Sequence, residues 1–255
     1  MHRIDETFKN KKPFIGYLTG GDGGLDYSVA CAQALIRGGV DILEIGFPFS
    51  DPVADGPVIQ KAHERALENR PNSTMILEIA RRIRESSEVP LVLFSYFNPL
   101  LQLGKEYLQQ LKTVGYDAVL IVDLPIPFHD EIDPFLLEVL NIGLAPILLA
   151  TPSSSDQRLS QISTYARGFL YYVSHKGTTG VRANLAEDFA TQISRMRQHF
   201  SIPIVSGFGI GDRESAKEAL ECADGFVVGS AFVEKIGEKT PLEELTLFAR
   251  SIDPR

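Results

Sequence analysis

The stretch VDILEIGFPFSDPVADGP, residues 40–57, begins as a strand with no solvent face and ends as the start of a helix. Ile42, Leu43 and Ile45 leave little polar alternation, so a strand here is covered on both sides, as strands of parallel sheets are. Pro57 suits the first helical position, with Asp55 or Gly56 as the cap, and VIQKAHERAL (58–67) continues at helical spacing. The anomaly is Glu44, inside the apolar run. A buried carboxylate without a partner is costly, or it gives up its charge.

The same strand–loop–helix unit recurs along the chain. Strand candidates are FIGYL (14–18), VDILEIG (40–46), PLVLFS (90–95), DAVLIVD (117–123), APILLA (145–150), GFLYYV (168–173), IPIVSG (202–207) and DGFVVG (224–229). Amphipathic segments such as STMILEIARRIRESS, KEYLQQLKTVG and RESAKEALECA alternate with them, most ending in Gly or leading into Pro. Eight such units in 255 residues predict a closed (β/α)8 TIM barrel, an α/β fold. With no linker or composition shift, residues 1–255 read as a single domain with an N-terminal helical extension. The interval from about 46 to 90 has room for an extra helix, and PLEELTLFARSI (241–252) reads as the eighth barrel helix. The competing fold is an open doubly wound sheet, with GFGIGD (207–212) as a dinucleotide turn. That fingerprint needs an acid ending the next strand, which here ends VVGSAF.

A net charge of −8 with scattered Lys and Arg argues against a nucleic-acid partner, which needs a basic stripe. No apolar run is long enough to span a membrane and the N-terminus lacks a signal-like apolar region, so a cytoplasmic location is expected. Cys31 and Cys222 stand alone, and neither a disulfide framework nor a metal site is expected.

In a barrel the chemistry collects at the carboxyl ends of the strands and in the loops that follow. Glu44 lies in the second strand and Asp55 in the loop after it. Tyr171 lies in the sixth strand, before the small-residue loop SHKGTTG (174–180). Glycines end strands seven and eight, where backbone N–H groups recurrently hold phosphate; as plain residues they serve equally as tight turns. Asp55 reads either as a helix cap or as a functional acid, Asp51 as a turn-former or surface contact, and Tyr171 as core or catalysis. The histidines form no set: His63, His129 and His199 fall on helix-like segments, leaving acid–base work to carboxylates.

LEIGFPFSDPVADGPVIQKA, with its spacing from Glu44 to Asp55, closely resembles the hallmark segment of the tryptophan synthase alpha subunit family. The likeness continues through FIGYLTGGD, YFNP, VDLP, RGFLYYVSHKGTTG, VSGFGI and VVGSAFV, over nearly the whole chain. It implies a (β/α)8 barrel that cleaves indole-3-glycerol phosphate to indole and glyceraldehyde 3-phosphate in tryptophan biosynthesis, without a cofactor. By resemblance, Glu44 protonates the indole ring carbon and then takes the side-chain hydroxyl proton, while Asp55 stabilises the cation that forms. Tyr171 would support Glu44, and Thr179 would order Asp55. Tyr17, Ile59 and Tyr96 would line the indole and glycerol part of the pocket. Gly180, Gly207, Gly209, Gly229 and Ser230 would frame the phosphate. The resemblance also implies a pyridoxal-phosphate beta subunit that receives the indole in an α2β2 heterotetramer and meets Pro48, Asp51 and Pro52. This sequence departs from the family's common residues at His175, at GGDGG (20–24) and at Tyr17. Two other readings are an alpha-like binding module that mainly activates the beta subunit, and another phosphosugar barrel enzyme. For an isomerase of histidine biosynthesis, strands one and five should end in aspartates, where YLTGGD and LLATP stand.

Overall fold

The computed structural model describes residues 3–69, 73–124, 133–173, 182–207 and 209–255. Its eight strands are β1 (Phe14–Thr19), β2 (Ile42–Gly46), β3 (Leu91–Ser95), β4 (Ala118–Ile121), β5 (Ala145–Ala150), β6 (Leu170–Tyr172), β7 (Ile204–Ser206) and β8 (Gly225–Val228). Each is parallel to its neighbours, and β8 returns to pair with β1, Phe226 beside Phe14. That closure is the barrel expected from the sequence and removes the open-sheet alternative. Most strands are shorter than the apolar runs that announced them. Val40, for example, precedes β2 and donates its N–H to Leu35 O in a turn.

Among the described residues there are eleven helices: α1 (Arg3–Asn10), α2 (Leu25–Arg37), α3 (Pro57–Glu68), α4 (Ser73–Arg84), α5 (Phe97–Val114), α6 (Pro134–Ile142), α7 (Asp156–Tyr165), α8 (Arg182–Met196), α9 (Arg213–Cys222), α10 (Ser230–Gly237) and α11 (Leu242–Ile252). The interval after β2 holds both α3 and α4, as its length suggested. After β8 the chain makes α10 before α11, a short helix that the sequence reading did not separate.

Alternation along the strands divides two cores. Leu43, Ile45, Leu91 and Leu93 belong to the outer layer, packed under the helices. Ile15, Ile42, Val92, Leu120, Ile147, Val205 and Val227 form the interior, joined by Ile4 of α1. Phe8 of α1 packs its ring 5.7 Å from that of Phe169. Glu44 follows Ile42 by two residues and therefore points inward, one layer nearer the carboxyl ends of the strands.

The opposite rim is stapled by acids that have partners. Asp41, Asp117 and Asp224 each take the leading N–H of an adjacent strand: Phe14 at 2.9 Å, Leu91 at 3.0 Å and Ile204 at 2.8 Å. Each also faces cations: Lys11 and Arg255 at Asp41, Arg84 and Arg3 at Asp117, Arg197 at Asp224. Asp117 is the most enclosed of these clusters, with its side chain 3% exposed and that of Arg84 12%.

Asp117→Ala strands the Arg84 guanidinium and the Leu91 N–H together. The expected loss is about 2–4 kcal/mol of folding stability. Urea denaturation checks this, and a change under about 1 kcal/mol would mean that the backbone acceptors of Arg84 suffice.

Candidate active site

Glu44 is 1% exposed, and among the described residues neither carboxyl oxygen has a hydrogen-bond partner. Burial pushes its pKa up to about 8. The group is therefore mostly protonated at neutral pH, yet within reach of ionisation. Barrel register sets Tyr17 of β1 on one side of it and Val92 of β3 on the other. The Tyr17 hydroxyl lies 3.2 Å from Thr19 Oγ1, and its ring meets Phe94 edge-on at 5.2 Å.

Two glycines make this layer possible. A Cβ on Gly46 would sit 2.2 Å from the Tyr17 hydroxyl, and one on Gly207 would sit 2.0 Å from the Tyr171 ring. Tyr171 donates its hydroxyl to Gly207 O at 3.2 Å, so that bond goes to the backbone of the loop after β7. Burial, reinforced by the charges of Glu44 and Asp55, raises the pKa of both tyrosines well above the ordinary value. The two carboxylates thus act on the same pair of rings, at one end of the barrel.

Asp55 stands at the end of the β2–α3 loop. Gly56 occupies the cap position of α3 and Pro57 its first turn, with no side-chain cap. The carboxylate is directed elsewhere: Oδ2 accepts from the Tyr96 hydroxyl at 2.7 Å and lies 3.4 Å from His63 Nε2. Tyr96 Oη in turn accepts from the Ala54 N–H at 3.0 Å. The backbone is pinned as well, by Asp55 N–H to Pro52 O at 3.1 Å and Gln60 Nε2 to Asp55 O at 2.8 Å. Asp55 is therefore not the side-chain cap of α3. His63 was set aside in the sequence as one of three helix histidines. Its signal was position, since it shares the buried face of α3 with Ala62 and Ala66.

The remaining candidates fall around this rim unevenly. Ile59 on α3 and Tyr17 both border Gly229, whose added Cβ would meet them at 3.9 and 3.8 Å. Gly229 caps α10 through its backbone alone, with Ser230 exposed in the first turn. The start of α9 is closed by a reciprocal capping box between Asp212 and Ser215. Gly209 has φ 72°, a left-handed conformation that calls for glycine on its own account. Thr179, Gly180 and His175 lie outside the described residues. In the loop after β2, Pro48 is buried, Pro52 is half-buried and Asp51 is exposed, accepting from the Ser50 hydroxyl. Val53 beside them is 84% exposed.

A cleft of about 670 Å³ lies at the other end of the barrel, between α1 and the Phe200–Pro203 turn. Of its cations, Lys9, Lys11 and Arg197 face Glu6, Asp41 and Asp224, and Lys12 donates to Leu220 O. Among the described residues no group of three or more His, Cys, Asp or Glu could hold a metal, and no helix is long and apolar enough to cross a membrane.

Residues 5–251 match the family of the tryptophan synthase alpha chain. The chain is 68% identical to the tryptophan synthase alpha chain of Chlamydia caviae, over 100% of both chains. It superposes on the alpha subunit of tryptophan synthase from Legionella pneumophila with a TM-score of 0.87 at 33% identity, covering 99% of this chain and 98% of that one. A chain of the Pyrococcus furiosus tryptophan synthase complex gives 0.83 at 33% identity, over 94% and 97% of the two chains.

A carboxyl whose pKa rises to about 8 on folding holds its proton in the native chain after the unfolded chain has lost its own. Between the two values the native state binds more protons, so Glu44 withdraws stability as pH rises from about 4.5 to 8 and changes it no further above. Glu44→Gln does not titrate. Its stability relative to the unsubstituted chain should grow across that window, by on the order of 4 kcal/mol at most. Parallel denaturation curves at pH 5, 6.5 and 8 measure the difference, and a pH-independent gap would remove the raised pKa.

Proposed function

This chain belongs to the tryptophan synthase alpha chain family, and we propose that Glu44 and Asp55 are the groups through which it performs that family's reaction. The reaction is the lyase step of tryptophan biosynthesis, a retro-aldol cleavage of indole-3-glycerol phosphate to indole and glyceraldehyde 3-phosphate. The observation that carries the assignment is Glu44, a carboxyl inside the barrel with no partner and a pKa near 8.

A neutral Glu44 delivers its proton to the indole ring carbon that bears the side chain. The ring becomes an indolenine cation, and the Asp55 carboxylate opposes the positive charge that spreads to its N–H. Glu44, now a carboxylate, takes the proton from the neighbouring side-chain hydroxyl. The carbonyl of glyceraldehyde 3-phosphate forms, the carbon–carbon bond breaks, and its electron pair restores the aromatic ring. Glu44 ends as it began. One group must act first as acid and then as base, which suits a pKa near the working pH.

Tyr171 limits the movement of Glu44, and Thr179 orders Asp55. Tyr17, Ile59 and Tyr96 form the wall against the indole and glycerol part. The phosphate sits among Gly180, Gly207, Gly209, Gly229 and Ser230, held by backbone N–H groups that include the uncapped first turn of α10. We further assign the 255 residues to one domain in the cytoplasm, working without a cofactor of its own. Its partner is a pyridoxal-phosphate beta subunit in an α2β2 assembly, met through Asp51 and Pro52 with Pro48 beneath them.

Glu44→Gln keeps the shape of the side chain and loses the transferable proton. Turnover of indole-3-glycerol phosphate should fall by at least about 10²-fold with the affinity for glycerol 3-phosphate unchanged, and Asp55→Asn should lose a similar factor. More than about a tenth of normal turnover in Glu44→Gln would sink the assignment. Gly229→Ala tests the phosphate separately. The protein leaves its Cβ ordinary room, so weaker glycerol 3-phosphate binding, by about tenfold in calorimetry with little change in Tm, reports crowding of the anion. Unchanged affinity would move the phosphate elsewhere.

A further inference from the structure

The imidazole of His63 is 2% exposed, on the inner face of α3 and enclosed by the β2–α3 loop. Its Nδ1 accepts the N–H of Phe49 at 3.2 Å. A ring that accepts at Nδ1 carries its proton on Nε2 when neutral. Nε2 lies 3.4 Å from Asp55 Oδ2 and has no hydrogen-bond partner of normal geometry among the described residues. One ring therefore touches both ends of the loop, Phe49 where it leaves β2 and Asp55 where it enters α3. Between those ends stand the exposed Asp51 and Val53.

We propose that His63 is a positioning residue for Asp55: its Nδ1 anchors the start of the loop at Phe49, and its Nε2–H holds Asp55 Oδ2 at the end. The proposal rests on the reading of Asp55 as the group that stabilises the cation. Tyr96 approaches the same oxygen, at 2.7 Å. With both donors on Oδ2, the other oxygen is left to face the substrate, since among the described residues nothing donates to Oδ1. The present Nε2 contact is long and bent; hydrogen bonds around catalytic groups commonly tighten only when substrate is bound. Phe49 and Asp55 meet the ring from the loop, and Tyr96, at the N-terminus of α5, meets the same Asp55 oxygen. Once the Nε2 contact tightens, an imidazole held at both nitrogens narrows the directions open to the carboxylate it touches.

Two substitutions divide the ring's functions. His63→Asn keeps an acceptor near the Nδ1 position and cannot reach Asp55, whereas His63→Gln can place an amide N–H near the Nε2 position. In steady-state cleavage by the full chain, His63→Asn should lower kcat about tenfold with KM within about twofold, and His63→Gln should recover part of that loss. In an Asp55→Asn background, His63→Asn should add less than about a twofold further loss, because the group it positions is already gone. Nitrogen-15 spectra of labelled histidine should show His63 protonated at Nε2, with a resonance that moves in Asp55→Asn. Wild-type kcat in His63→Asn, the same fold loss with and without Asp55, or a proton on Nδ1 would each overturn the proposal. Failure of the underlying reading looks different: Asp55→Asn would retain more than about a tenth of the turnover while the His63 resonance still responded to it.

Discussion

A buried acid with no hydrogen-bond partner among the described residues, held inside a closed barrel, is the constraint around which this molecule is arranged. Glu44 is set inward by the alternation that buries Ile42, and β2 has neighbours on both sides, so the side chain has no outward route. Rotating the strand would bring Leu43 and Ile45 into the interior and turn Glu44 toward the helices. The cost of holding the carboxyl there appears as a raised pKa, because neutralisation is cheaper than a buried charge. The surrounding layer keeps it so. Tyr17 and Tyr171 fill the level around it with rings that stay neutral, and both rings depend on glycines, Gly46 and Gly207, for their room.

The opposite rim treats the same chemical group in the opposite way. Asp41, Asp117 and Asp224 receive strand N–H groups and cations, in positions where a carboxylate keeps its charge by being satisfied. These acids join strands to each other and to α1, α4 and the C-terminal Arg255. One end of the barrel therefore uses carboxylates as fasteners and the other leaves one unfastened. This is the division expected in the fold, with stability at the amino ends of the strands and reactivity at the carboxyl ends.

Asp55 occupies an intermediate position, in a loop but not free. Its loop contains Pro48 and Pro52, which restrict the unfolded chain and so reduce the entropy lost on ordering. Tyr96 and His63 then approach the carboxylate from α5 and α3. Both approach the same oxygen, Oδ2, so the direction of the carboxylate is set from two helices at once.

The sequence by itself determined the barrel, since eight apolar runs alternating with amphipathic segments can be covered on both faces in few other ways. It also exposed Glu44, because a charge inside DILEIG conflicts with its neighbours, while Asp55 stood open between helix cap and functional acid until the family resemblance pointed to it. Strand ends, the separate α10 and whether Asp55 caps α3 were not legible, because those depend on which partners arrive from elsewhere. Tertiary structure alone decided that Gly56 caps α3, that Gly207 makes room for Tyr171, and that His63, read as one helix histidine among several, lies against Asp55. Periodicity along a chain records which side of an element is buried. What a buried polar atom meets there is set by strands and helices far away in sequence, and only the closed barrel brings them within hydrogen-bond distance.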